Sequence, residues 1–150
     1  MTRTAAAACL SSILLAWCAA PAWADLARAR AEPNPERRAK LALDNAAAAL
    51  TAARHSYENG DVQTAGALSA EIGESVALAY DSLVSTGKNP RKSPRWFKYA
   101  EIQTRDLLRR LETFTLDMNA TDRSLLGKVK ETVLEVHDHL LQGLMEGKPK

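Results

Sequence analysis

The densest group of chemically capable side chains in this 150-residue chain runs from Lys88 to Tyr99, KNPRKSPRWFKY, with five cations, no acid and three aromatic rings. Cations interleaved with rings can neutralise phosphates, carboxylates or lipid head groups while the rings stack or insert. Phe97 falls on the apolar stripe of the helix that follows and is read as core. The remaining Lys88, Arg91, Lys92, Arg95, Trp96, Lys98 and Tyr99 form the expected surface for an acidic partner, either a protein or an envelope component. The plainer alternative is a solvated loop between helices, its rings packed on the next core face.

Three histidines, His55, His137 and His139, are the other residues of chemical interest. His137 and His139 are two apart, so on a helix they point about 200° away from each other and cannot chelate one ion. Glu131, Glu135 and His139 recur every four residues with Asp138 beside them, which makes one acidic helix face. A metal there needs ligands from another helix, and the Glu-x-x-His pairs of di-iron bundles are missing. There is no Cys-x-x-Cys-His for covalent haem, and non-covalent haem would need His55 opposite His137 or His139. A small metal- or haem-binding periplasmic bundle is the alternative reading on that basis. No Gly-x-Ser-x-Gly elbow and no Gly-rich phosphate loop occurs, so the expectation is a non-enzymatic protein with no catalytic residue, no metal ligand and no cofactor.

The compartment is read from the first 24 residues. Met1 to Arg3 is a short basic start, residues 5–20 are apolar or small, and Ala22-Trp23-Ala24 offers the small residues that a signal peptidase reads. The expectation is a signal peptide over 1–24, cleaved before Asp25, and export to the periplasm or beyond, with no transmembrane span after cleavage. Both cysteines, Cys9 and Cys18, lie in that segment, so disulfides and thiol chemistry go with it. Trp17 stands where a lipid-attachment signal needs a small residue before Cys18, which argues against a lipid anchor. With 20 Lys and Arg against 18 Asp and Glu, the formal charge is only +2, which argues against a nucleic-acid partner.

The elements that would position these groups are helical. Residues 25–33 are small and charged and are expected to form a flexible leader. Asn34-Pro35 opens a first helix with Leu43, Ala46, Leu50, Ala53 and Tyr57 on one face, ending at Asn59-Gly60. Asp61 opens a second with Leu68, Ile72, Val76, Ala79 and Leu83, ending at Gly87. Ser93-Pro94 opens a third with Phe97, Ala100, Leu107, Leu111, Phe114 and Met118, and a fourth carries Leu126 to Leu144 before residues 148–150 form a tail. The fold class is therefore all-α, a four-helix antiparallel up-down bundle over 34–147. The alternative is a pair of hairpins stacked at an angle. Residues 41–87 carry one cation and six acids whereas 88–110 carry eight cations and two acids, so the second helix is expected beside the third. The stretch Asn45 to Leu50 contains four consecutive alanines, which would also let the first helix approach a second copy, leaving a homodimer open.

Tyr57, Gly60, Asp61 and Ala65 match the turn of a tetratricopeptide repeat, although no second copy follows at the 34-residue period. Over Tyr80 to Met145, NPRKSP followed by an aromatic and Lys, then RDLLRRL and HDHLLQGLM, is similar to an uncharacterised group of small exported bacterial all-helical proteins. The resemblance implies a shared helical fold and brings with it no activity, cofactor or site residue.

Overall fold

The structure, a computed structural model, describes residues 26–147. The expected signal peptide and the 148–150 tail lie outside the described residues. Five α-helices follow one another: α1 Leu26–Ala31, α2 Pro35–Glu58, α3 Val62–Val84, α4 Pro94–Asp117 and α5 Ser124–Glu146, with no strand among the described residues.

The local signals act as their chemistry requires. Asn34 Oδ1 accepts from the amides of Glu36 and Arg37, both at 3.0 Å, and Pro35 fills the first helical position where no amide is needed. Asp61 Oδ1 accepts from the Thr64 amide at 3.0 Å. Hydrogen bonds from Thr64, side chain first and then backbone, hold the Asp61 carboxyl below its ordinary range. Gly60 takes a φ of +82°, a left-handed backbone that suits glycine and lets α3 turn back along α2. Ala42, Ala46, Ala49 and Ala53 are fully buried along one face of α2, and the small side chains let the two backbones run close together. The alanine stretch expected to be open to a second copy is thus used up largely inside the chain.

The segment expected as a flexible leader contains α1, which is why the described helices number five rather than four. Leu26 and Ala29, three apart, are 7% and 1% exposed against the α2–α3 hairpin, and Arg30 reaches Glu74 at 2.8 Å. Burial of two side chains decides the conformation of a run too short to hold a helix on propensity alone.

Two hairpins, α2–α3 and α4–α5, carry one continuous core that includes Leu43, Ile72, Leu83, Leu107, Leu111, Phe114, Leu126 and Leu140. Between the hairpins α2 meets α4 and α3 meets α5, α3 brushes α4, and no Cα of α2 comes within 8 Å of α5. Lys88 and Tyr99 reach Glu36 and Asp44 early in α2, whereas Asp117 and Asp122 reach Arg54 and Tyr57 near its end, so α2 and α4 run in the same direction. The expected charge pairing of acidic second helix with basic third does not form: among the described residues no ion pair joins α3 to α4, Lys88 pairs with Glu36 of α2, and Arg105 and Arg109 pair with Glu101 and Asp106 of α4 itself. Net composition does not select a neighbour when exposed ion pairs contribute so little each.

Candidate functional site: the basic turn before α4

The turn from Lys88 to Ser93 is built by Asn89 and Pro90. Asn89 Oδ1 accepts from the amides of Arg91 at 2.9 Å and Lys92 at 3.2 Å, and its carbonyl accepts from Lys92 and Ser93. Pro90 is buried beneath. Ser93 occupies the cap position of α4 as its sequence suggests, but its hydroxyl makes no capping bond. Asn89 orders the approach instead, an organising role that the Asn-Pro pair signals in sequence and that the list of cations obscures. The end of α5 closes the turn from the other side: an ideal Cβ on Gly147 would lie 3.2 Å from both side-chain termini of Asn89 and 3.4 Å from Arg91 Cβ.

The seven expected residues come together in space but divide in role. Lys88 Nζ donates to Glu36 Oε1 at 2.5 Å, so its charge is answered by the first turn of α2 and it anchors the turn. Arg91, Lys92 and Lys98 are exposed and make no ion pair among the described residues. The Arg95 guanidinium lies 5.2 Å from the centroid of the Trp96 ring, a cation–π arrangement that holds the charge at the surface. Trp96 and Tyr99 are half-buried against the core and meet edge to face at 6.0 Å. Tyr99 Oη donates to Asp44 Oδ1 at 3.4 Å, and burial first, then the Asp44 charge, raises its phenol pKa. The rings support a platform of cations, and their faces are partly engaged in the fold.

The histidines are not brought together. His55 sits near the end of α2, bonded to the Asn59 side chain at 3.1 Å. His137 Nδ1 contacts Thr104 Oγ1 at 3.2 Å, and His139 packs on Tyr80 with ring centroids 5.7 Å apart. By helix rise, His55 and His139 are separated by about 18 Å along the molecule as well as by lying on helices that do not touch. The arrangement required for axial haem ligation is absent. Among the described residues no three His, Cys, Asp or Glu side chains gather as metal ligands, and no helix is long and apolar enough to cross a membrane.

A cleft of about 350 Å³ between α2 and α4 is lined by Thr51, Arg54, His55, Arg110 and Phe114, among others. Arg54 there pairs with Glu58 and Asp117, and Arg110 donates to Thr51 Oγ1 at 2.9 Å. No family model, no curated protein and no solved structure matches the chain.

Proposed function

We propose that this is an exported, non-enzymatic helical scaffold that binds an acidic macromolecule through the turn before α4. Arg91, Lys92, Arg95 and Lys98 make the contacts, Lys88 anchors the turn to α2, and Trp96 and Tyr99 brace it from below. The observation that carries the reading is that Arg91, Lys92 and Lys98 stay exposed without an ion pair among the described residues, beside Arg95 held over a ring, on a turn ordered by Asn89. A turn with no binding role gains nothing from keeping like charges together, because they repel one another. The scaffold itself is best read as two stacked helical hairpins, an arrangement supported by the α2–α4 and α3–α5 contacts and the lack of any between α2 and α5.

The test compares the native protein with a variant carrying Arg91→Glu, Lys92→Glu, Arg95→Glu and Lys98→Glu, its helicity checked by circular dichroism. Envelope and secreted fractions are passed over each. The expected result is a component retained by the native protein, released by moderate salt as ionic screening sets in, and lost from the folded variant. If both retain the same components, or neither retains any, the turn is only a solvated loop.

A further inference from the structure

Five of the six large apolar side chains left exposed among the described residues, Ile102, Leu116, Leu134, Leu141 and Met145, belong to one hairpin, α4–α5. The other hairpin is partly covered by α1, which touches only α2 and α3. One end of the stack is thus capped and the other presents apolar surface.

That surface is patterned by charge. Arg95, Lys98, Ile102, Arg105 and Arg109 follow spacings of three and four, which puts them on one exposed ridge of α4 opposite its buried stripe. Glu131, Glu135 and Asp138 share the outward ridge of α5, exposed and without an ion pair among the described residues. Between the ridges runs a groove of about 380 Å³ lined by Leu108 and Leu134 and, towards the α4–α5 turn, by Arg123, Lys130 and Glu131, and Gly127 beside them has open space where a Cβ would be. Arg105 and Arg109 have only near neighbours on their own helix, Glu101 at 3.7 Å and Asp106 at 2.5 Å.

The heights of the two ridges match. Thr104 Oγ1 and His137 Nδ1 meet at 3.2 Å across the antiparallel hairpin, so Arg105 stands level with position 136 and Arg109 with position 132. Glu135 and Glu131 are each one residue, about 1.5 Å, from those levels. We infer that two copies of the chain associate through this face about a two-fold axis parallel to the helices, laying α4 of each copy against α5 of the other. Such an axis preserves height while exchanging the two ridges, so Arg105 and Arg109 meet Glu135 and Glu131 of the opposite copy. Ile102, Leu134 and Leu141 then close the seam between them. A two-fold perpendicular to the helices would set α4 against α4, cation against cation, and charge complementarity selects against it. The charge pairs that carry the inference, Arg105 and Arg109 with Glu135 and Glu131, include no residue of the partner-binding turn, although Arg95 and Lys98 continue the same ridge of α4 towards it.

Analytical ultracentrifugation of the purified protein tests this. The native protein is expected to sediment as a dimer at micromolar concentration. One variant, Arg105→Glu with Arg109→Glu, makes both ridges acidic; a second, Glu131→Arg with Glu135→Arg, makes both basic. Each is expected to be a monomer with unchanged helicity, its dissociation constant raised at least about tenfold, because like charges then face each other. Mixed in equal amounts, the two variants are expected to form a heterodimer, since every acidic ridge then finds a basic one. A native protein that stays monomeric overturns the inference. So do variants that still dimerise alone, or a mixture of folded variants that remains monomeric.

Discussion

The side-chain amide of Asn45 donates to Ser75 Oγ at 2.9 Å within the buried interface of α2 and α3, and its second hydrogen reaches Glu71 Oε1 at 2.8 Å. Ser75 in turn donates to the Glu71 carbonyl at 2.7 Å. One asparagine thus satisfies two groups on the opposite helix and fixes the register of a pair whose alanine faces would otherwise slide. Asn45→Ala removes both donors, and the expected cost is about 1–3 kcal/mol, the penalty of stranding partly buried acceptors. Urea unfolding followed by circular dichroism measures it. A loss under about 0.5 kcal/mol would show that water replaces the amide at little cost.

The C-terminal cap of α5 supports the basic turn, and a single methyl group is enough to test that support. Gly147 has a φ of +80° and would bring a Cβ to 3.2 Å from the Asn89 side chain. That side chain cannot withdraw without releasing the amides of Arg91 and Lys92. Gly147→Ala is expected to cost about 1–2 kcal/mol from the left-handed backbone, and to weaken capture by the turn while helix content is kept. An unchanged melting temperature together with unchanged capture would show that the two ends of the hairpin are not coupled.

The starts of α2 and α3 are legible from residue type alone, because Asn34 and Asp61 bond the first free amides of the helices that follow them. The start of α4 is legible in position but not in mechanism, since the Asn89 carboxamide, four residues before Ser93, organises the turn. The helix at Leu26–Ala31 leaves no periodic signal because it has only two buried positions, and both need the α2–α3 hairpin already in place. Which helices pair across the hairpins is equally hidden. Lys88 and Glu36 meet at a separation of 52 residues, and nothing local to either specifies the other. The bond of Tyr99 to Asp44 is likewise a property of the α2–α4 contact and not of the segment that carries the tyrosine.

Stability is expected to fall on the alkaline side through the cluster of Asp44, Lys40 and Tyr99. Lys40 Nζ donates to Asp44 Oδ2 at 2.6 Å, and that bond raises the ammonium pKa above its ordinary 10.5. Burial, then Asp44, raises the Tyr99 phenol above 10.0. Both groups hold their protons more tightly folded than unfolded, so their contribution is complete below pH 10 and disappears as pH rises through the folded values. The Lys40 share is small because its head is half exposed to solvent. The urea midpoint should therefore drop between neutral pH and about pH 11, and Asp44→Asn together with Tyr99→Phe should flatten that limb. An identical alkaline limb in the double variant would assign the loss to other groups.

The docking of α1 can be separated from the stability of the rest. Leu26 is 7% exposed, and burying a leucine side chain contributes about 1.5–3 kcal/mol. Leu26→Asp removes that contribution and sets a carboxylate beside the mixed charges of Arg30, Glu71 and Glu74, so the lost apolar burial dominates the effect. The expected result is loss of hydrogen-exchange protection over α1 and faster tryptic cleavage after Arg28 and Arg30, with protection in α4 and α5 unchanged. Arg30→Ala is expected to do far less, since the Arg30–Glu74 pair is more than half exposed on both sides. If the two substitutions release α1 equally, the ion pair and not the leucine holds it. If Leu26→Asp lowers protection throughout the chain, α1 belongs to the same cooperative unit as the core of the two hairpins.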